Sequence, residues 1–164
     1  MPFEHILRSR RKDCFTMIKE EMKQYLVKEA FLARENSYAP YSRFKVGAAI
    51  LTTDGRIFRG ANIENASYGA TICAERTAAV KAVSEGSKSF VAVAVVGAEE
   101  NADLEHLDLA YPCGICRQVL REFLPPSGEL LILVATSPTE YFESSLNALL
   151  PHSFGPEDLG YLLE

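Results

Sequence analysis

Several features are missing from this chain, and each absence narrows what it can be. No stretch approaches the ~20 consecutive apolar residues that a membrane-spanning helix needs. The longest apolar runs, residues 90–96 and 130–135, have the length of strands. The first residues, Met-Pro-Phe-Glu-His, hold no continuous apolar segment ahead of a small-residue cleavage site. They do not read as a secretory signal, so a cytoplasmic location is expected. In a reducing compartment the four cysteines are thiols, metal ligands or catalysts rather than disulfide staples. Positive charge is in deficit, with 17 Lys and Arg against 22 Asp and Glu and a net charge of −5. That balance does not suit a protein that grips nucleic-acid phosphates. Arg8, Arg10, Arg11 and Lys12 make a short basic arm, read as a solvated helix start. No internal repeat and no low-complexity segment interrupts the chain.

What is present is an ordinary globular composition, 48% apolar and 24% charged, in a chain of single-domain length. At 164 residues it can bury a core without covalent help. We divide it into an N-terminal extension, 1–13, and one domain, 14–164. Phe15, Ile18, Met22, Tyr25, Leu26 and Ala33 recur at helical spacing and predict a helix from 12 to about 34. Residues 44–53 and 56–62 read as strands joined through the tight-turn pair Asp54-Gly55. A helix is expected over 73–85, closed by Gly86. A buried strand follows over 90–97, then an acidic loop, 98–112, with five acids and no Lys or Arg. Residues 113–123 predict a helix after Pro112, and 129–135 a second buried strand. A short edge strand over 139–142 and a short helix over 143–150, stopped by Pro151, complete the pattern. Alternating strands and helices imply a mixed α/β sheet with helices packed on it, the hairpin antiparallel and the later crossovers parallel and right-handed.

The cysteines carry the chemistry. Cys113 and Cys116 form C-x-x-C directly after Pro112, and Cys73 opens Cys73-Ala74-Glu75. Each cluster starts a predicted helix, where free N–H groups and the helix dipole lower thiol pKa. Positions i and i+3 on a first turn let both sulfurs reach one ion. Three thiolates with one open position describe a catalytic zinc site, whereas four protein ligands describe a closed structural one. Glu75 would then sit beside the metal without binding it, able to move a proton between water and substrate. Arg76 or Arg117 could offset the charge of three thiolates around Zn²⁺, with Arg76 preferred. Alone, C-x-x-C also suits a redox pair or half of a structural site, and a helix-start Glu is commonly a dipole partner. Cys14 lies outside these motifs and reads as a buried apolar residue. None of the histidines, His5, His106 and His152, sits in a ligand motif. Gly47, Ala48 and Ala49 suit either close backbone approach within the sheet or helix packing.

C-x-E followed by P-C-x-x-C is a zinc nucleobase deaminase arrangement, with Cys in place of the more general His. Four further segments agree with it: Tyr38-Ala-Pro-Tyr-Ser-Arg-Phe44-Lys-Val-Gly-Ala-Ala49, Gly60-Ala-Asn62-Ile-Glu64-Asn65-Ala66-Ser-Tyr68, Cys116-Arg117-Gln118 and Ser153-Phe154-Gly155-Pro156-Glu157-Asp158-Leu159. Over residues 15–160 the chain resembles the homotetrameric, three-cysteine cytidine deaminases. The acidic 98–111 loop is longer than in compact members. The resemblance implies a three-layer α/β/α fold around a mixed five-stranded sheet. It implies zinc-dependent hydrolysis of cytidine and deoxycytidine to uridine and deoxyuridine plus ammonia, a step of pyrimidine salvage. By the resemblance Cys73, Cys113 and Cys116 hold one zinc per subunit, Arg76 compensates charge, and zinc-bound hydroxide attacks C4 of the pyrimidine with Glu75 as proton shuttle. Asn62 and Glu64 hold the 3′-hydroxyl, Phe44 and Ala74 contact the nucleoside, and Phe154, Ala66 and Tyr68 reach the site of a neighbouring subunit in a homotetramer.

Three rival readings of these motifs exist. A zinc-stabilised module without activity would need a fourth protein ligand. A deaminase of another small molecule, such as a nucleoside antibiotic, fits less well with the intact Asn62-Ile-Glu64-Asn65 and Ser153–Leu159 segments. A nucleic-acid cytosine editor would need a basic groove and stacking aromatics, against which stand the negative balance and the absence of tryptophan.

Overall fold

The structure, a computed structural model, describes residues 18–161. The basic arm, His5, Cys14, Phe15 and the boundary between extension and domain lie outside the described residues.

Five strands form one mixed sheet in the order β2-β1-β3-β4-β5. β1 (Phe44–Thr52) and β2 (Ile57–Ala61) make the expected antiparallel hairpin, turned through Gly55 at φ 81°. β3 (Phe90–Glu99) pairs antiparallel to β1 and parallel to β4 (Leu131–Ala135), and β5 (Tyr141–Ser145) closes the edge antiparallel to β4. Since β2 and β3 both run opposite to β1, the two helix-bearing crossovers, β2 to β3 and β3 to β4, are parallel as expected.

Helices cover both faces. α1 (Glu20–Arg34) packs on one face, where Leu26, Val27 and Ala30 meet Ala49, Ala92, Ala94, Val96, Leu131 and Leu133. α2 (Ala74–Ser84), α3 (Gly114–Arg121) and the short α4 (Leu146–Leu149) cover the other, where Ala78, Ala79, Ala82, Leu120 and Leu146 meet Ile50, Val93, Val95, Ile132 and Val134. The alternation of β3 and β4 residues between the two cores is the period-two rule, applied to strands buried on both sides. This is the three-layer arrangement.

Helix–sheet contact is very close at two glycines. A Cβ on Gly47 would lie 2.1 Å from the Ala30 carbonyl oxygen of α1, and one on Gly60 would lie 2.3 Å from Ala74 O and Ala78 N of α2. The small residues of β1 therefore serve helix packing. Arg34, buried at the end of α1, donates to the carbonyls of Lys45, Ala98 and Glu99 and so clamps β1 to β3.

Four expectations are corrected. α1 starts at Glu20, with Lys19 extended at its N-cap (φ −62°, ψ 149°). Helical spacing ran past that cap because Ile18 packs on the same core from non-helical chain. The edge strand runs Tyr141–Ser145 rather than 139–142, since pairing of Glu143 and Ser144 with Leu133 and Ile132 takes residues read as helix. α4 then spans only Leu146–Leu149, capped by Ser145 Oγ accepting from Ala148 N at 3.1 Å. The acidic segment is shorter at its start, because β3 continues to Glu99. Leu104 and Leu107 tuck it onto the α1 core, and Leu107 N donates to Thr136 O at 2.8 Å. α2 ends as predicted at Gly86, where Ser87 N reaches Ala82 O and Gly86 N reaches Val83 O.

Candidate active site

Two helix starts meet at one point. Cys73 is the N-cap of α2 and Cys113 the N-cap of α3, both extended, while Cys116 sits in the first turn of α3 and is fully buried. The three sulfurs lie within 4.8 Å of one another, with Cys113 Sγ 3.8 Å from Cys73 Sγ and 3.5 Å from Cys116 Sγ. All three are free thiols. Two parallel crossovers make this convergence, because they deliver the N-termini of α2 and α3 to the same end of the sheet.

The electrostatics favour an anionic sulfur at Cys73. A hydrogen bond from Cys116 pulls the Cys73 thiol down to about 5 against the opposing cost of burial, with Arg76 and Cys113 adding to the effect. The same bond to Cys73, then burial and the Glu75 charge, push the Cys116 thiol up. Arg76 Nη2 lies 3.8 Å from Cys73 Sγ and donates to Thr71 O at 3.2 Å, and its buried Nε has no partner among the described residues. Burial lowers the Arg76 pKa, but its bonds to the Cys73 and Cys116 sulfurs outweigh that and raise it. Arg117 faces elsewhere, donating to Pro112 O and Leu149 O, each at 2.7 Å. Of the two candidate arginines, only Arg76 is drawn to the sulfurs.

These residues fit a zinc ion. Three sulfurs share one small volume, a guanidinium stands ready to balance excess anion, and among the described residues no histidine or carboxylate joins the ligand set. Three ligands leave one of four tetrahedral positions open. Glu75, in the first turn of α2 and 3% exposed, stands beside the cluster without belonging to it. Burial raises its pKa, so its carboxyl holds a proton more readily than an exposed glutamate does.

The residues read as sugar ligands lie on the neighbouring segment. Ile63 bridges both Tyr38 and Ile72, which lays residues 62–65 beside the chain leading into Cys73. Asn62 is 9% exposed. Its Oδ1 accepts from Val46 N at 2.8 Å and from Ser37 Oγ, and its Nδ2 donates to Phe44 O at 2.9 Å. The amide thus bolts the ends of β1 and β2 together and keeps one N–H in hand. Glu64 Oε2 accepts from the amides of Tyr41 at 2.8 Å and Ser42 at 3.2 Å, and Oε1 from Ser42 Oγ. Those bonds, that of Ser42 Oγ first, hold its carboxyl below the usual carboxylate range. Tyr41, Ser42, Glu64, Tyr68 and Thr71 line an open pocket of about 410 Å³.

Of the other expected residues, Tyr68 belongs to that lining and Phe44, Ala66, Ala74 and Phe154 do not. Phe44 is 40% exposed, so it is not a core residue, and Ala74 is fully buried between Cys73 and Glu75. Tyr68, 77% exposed, meets Tyr41 edge-on at 6.0 Å. Ala66 is exposed. Phe154 is 58% exposed, and its backbone carbonyl accepts from Gln118 Nε2 of α3 at 3.0 Å. Sequence reading assigned no role to Ser42 or Thr71. Their only local signal is that of turn-forming hydroxyl residues, which is shared by many loops. No helix among the described residues is long and apolar enough to cross a membrane.

Comparison with known proteins gives the same picture. Residues 20–127 match the family model for the cytidine and deoxycytidylate deaminase zinc-binding region. A cytidine deaminase of Halalkalibacterium halodurans is 49% identical over 137 residues, covering 84% of this chain and 97% of that one. A probable cytidine deaminase of Dictyostelium discoideum is 46% identical, covering 77% of this chain and 80% of its own. The 1.6 Å crystal structure of a cytidine deaminase from Burkholderia pseudomallei superposes with a TM-score of 0.70 at 42% identity, over 84% of this chain and 100% of that one.

Proposed function

The chain belongs to the cytidine and deoxycytidylate deaminase family, and from that premise we propose that it hydrolyses the C4 amine of cytidine and deoxycytidine, releasing ammonia and the uridine nucleoside. The observation that carries this reading is the meeting of Cys73, Cys113 and Cys116 at two helix N-termini with a buried carboxyl, Glu75, two residues from the first of them. Cys73, Cys113 and Cys116 hold zinc, and Arg76 balances the third thiolate. Bound zinc supplies Lewis acidity that brings the pKa of a water from ~16 toward ~7.

The remaining work falls to the chain's own groups. Glu75 takes a proton from the attacking water and delivers it to ring N3, then takes the second proton from the hydroxyl now on C4 and passes it to the amine, which leaves as ammonia while the C4 carbonyl forms. Its burial suits that task, because a carboxyl with a raised pKa exchanges protons nearer neutrality. Glu64 and Asn62 bind the 3′-hydroxyl. The carboxylate accepts the hydroxyl proton, and the spare N–H of Asn62 donates to the hydroxyl oxygen. An ionised Glu64 repels a 3′-phosphate, which favours free nucleosides over nucleotides and nucleic acids. Phe44 packs beside the nucleoside, and Ala74 completes the wall between Cys73 and Glu75.

The active protein is a homotetramer in which Phe154, Ala66 and Tyr68 reach a neighbour's site. Phe154 and Tyr68 are both exposed, which leaves them free to reach a neighbouring chain. A cytoplasmic location suits three thiols that must stay reduced. The test is an ultraviolet assay of the zinc-loaded protein with cytidine. Falling cytidine absorbance with equimolar uridine and ammonia supports the reading, and zinc-loaded protein that leaves cytidine intact rejects it.

A further inference from the structure

We propose that Ser42 is a positioning residue that aims the Glu64 carboxylate at the sugar and thereby sets discrimination at the 3′ position. The inference rests on the reading of Glu64 as a sugar ligand. The Ser42 hydroxyl lies between two groups of opposite character. Phe44 N–H donates to its oxygen at 3.0 Å, and Glu64 Oε1 lies on its other side. A backbone N–H can only donate, so the hydroxyl accepts there and its single proton is left for the carboxylate. The direction of the Ser42–Glu64 bond follows from the partners alone, the hydroxyl donating and the carboxylate oxygen accepting.

That bond completes a three-donor grip. Tyr41 N–H and Ser42 N–H both serve Oε2, while the Ser42 hydroxyl is the donor to Oε1. A carboxylate offers about four acceptor positions, so one remains on Oε1 for a ligand hydroxyl. Without the hydroxyl the two amides still hold Oε2, but Oε1 loses the partner that fixes its orientation, and the terminal torsion of a glutamate is broad. The turn that presents these donors is held from outside the site. Arg43 adopts a left-handed φ of 56°, its N–H donates to Ala39 O at 3.0 Å, and its carbonyl accepts from Glu100 N at 2.8 Å. Ser42 itself is exposed, so its hydroxyl is not needed to fill a core.

The test compares cytidine with 3′-deoxycytidine on zinc-loaded wild type, Ser42→Ala, Ser42→Thr and Glu64→Gln. Hydrogen bonds to charged groups are strong enough that losing this one costs about tenfold in kcat/KM for cytidine. We expect that loss in Ser42→Ala, carried by KM with kcat retained, and less than about a twofold change for 3′-deoxycytidine, which lacks the hydroxyl Glu64 receives. Ser42→Thr keeps the donor and restores the wild-type ratio between the two substrates. Equal losses on both substrates, or no loss on either, in Ser42→Ala overturn the proposal. Glu64→Gln separates the two levels of the argument. If it collapses the substrate ratio while Ser42→Ala does not, only the Ser42 proposal fails. If neither variant moves the ratio, the Glu64 reading fails and the Ser42 proposal with it.

Discussion

Adding one methyl group at Gly60 should disable the active site from behind. Gly60 lies in β2, and a Cβ there would sit 2.3 Å from Ala74 O and Ala78 N and 2.9 Å from Ala78 Cα. Every obstructing atom is backbone, so no side chain can swing aside. Restoring ordinary contact near 3.4 Å requires α2 to back away from β2 by about 1 Å. The helix has little slack, because Ala78, Ala79 and Ala82 are buried directly against the sheet. Overpacking of this kind costs ~1–3 kcal/mol. At ~2–4 °C per kcal/mol for a chain of this size, Tm should fall by roughly 2–12 °C. The displaced carbonyl belongs to Ala74, between Cys73 and Glu75, the proposed metal ligand and proton carrier. A shift of about 1 Å at a catalytic group can cost ~10²-fold in rate. Calorimetry and steady-state kinetics on Gly60→Ala should therefore show a lowered Tm and kcat/KM down by about two orders of magnitude. A variant with Tm within about 1 °C of wild type and unchanged kcat/KM would refute the argument that β2 sets the position of α2.

Two further outcomes follow from the same geometry. Cys113→Ala should lose stoichiometric zinc by metal analysis and melt well below wild type, since thiolate–zinc binding is coupled to folding; full zinc content in that variant would remove Cys113 from the ligand set. Asp54 accepts from Thr52 Oγ1, from Ser87 Oγ at 2.8 Å and from Arg56 Nε at 2.9 Å, and these bonds, that of Thr52 first, hold its carboxyl well below the usual range. A depressed folded-state pKa contributes stability above the unfolded value of ~3.9 that is lost as pH falls. Melting curves should then show wild type losing stability more steeply than Asp54→Asn as pH drops from about 5 to about 3, and parallel curves would contradict this.

The parts of the fold legible in the sequence are those whose signal is local. β1, β3 and β4 are buried on both faces, so their residues form near-continuous apolar runs that need no partner to be seen. β5 has the polar sequence Tyr-Phe-Glu-Ser-Ser, and its bounds come from pairing with β4 rather than from its own pattern. The cysteines were legible because one ion demands a particular spacing, and resemblance to a family extended that reading to Asn62, Glu64 and Phe154. Ser42 and Tyr41 carried no comparable signal. Their bonds to Glu64 cross 22 and 23 residues and exist only because Ile63 bridges both Tyr38 and Ile72. The structural duty of Asn62 was hidden for the same reason, since its three partners Ser37, Phe44 and Val46 meet only once β1 and β2 pair.

The most direct test of the account is to measure zinc content and cytidine turnover together in wild type and Glu75→Gln. The proposed mechanism separates metal binding, by three sulfurs, from proton transfer, by Glu75. It predicts equal zinc in both proteins, with turnover in the variant lower by ~10²–10⁴-fold. Near-normal turnover in Glu75→Gln would contradict the role of Glu75 as the proton carrier, and loss of zinc from the variant would contradict the separation itself.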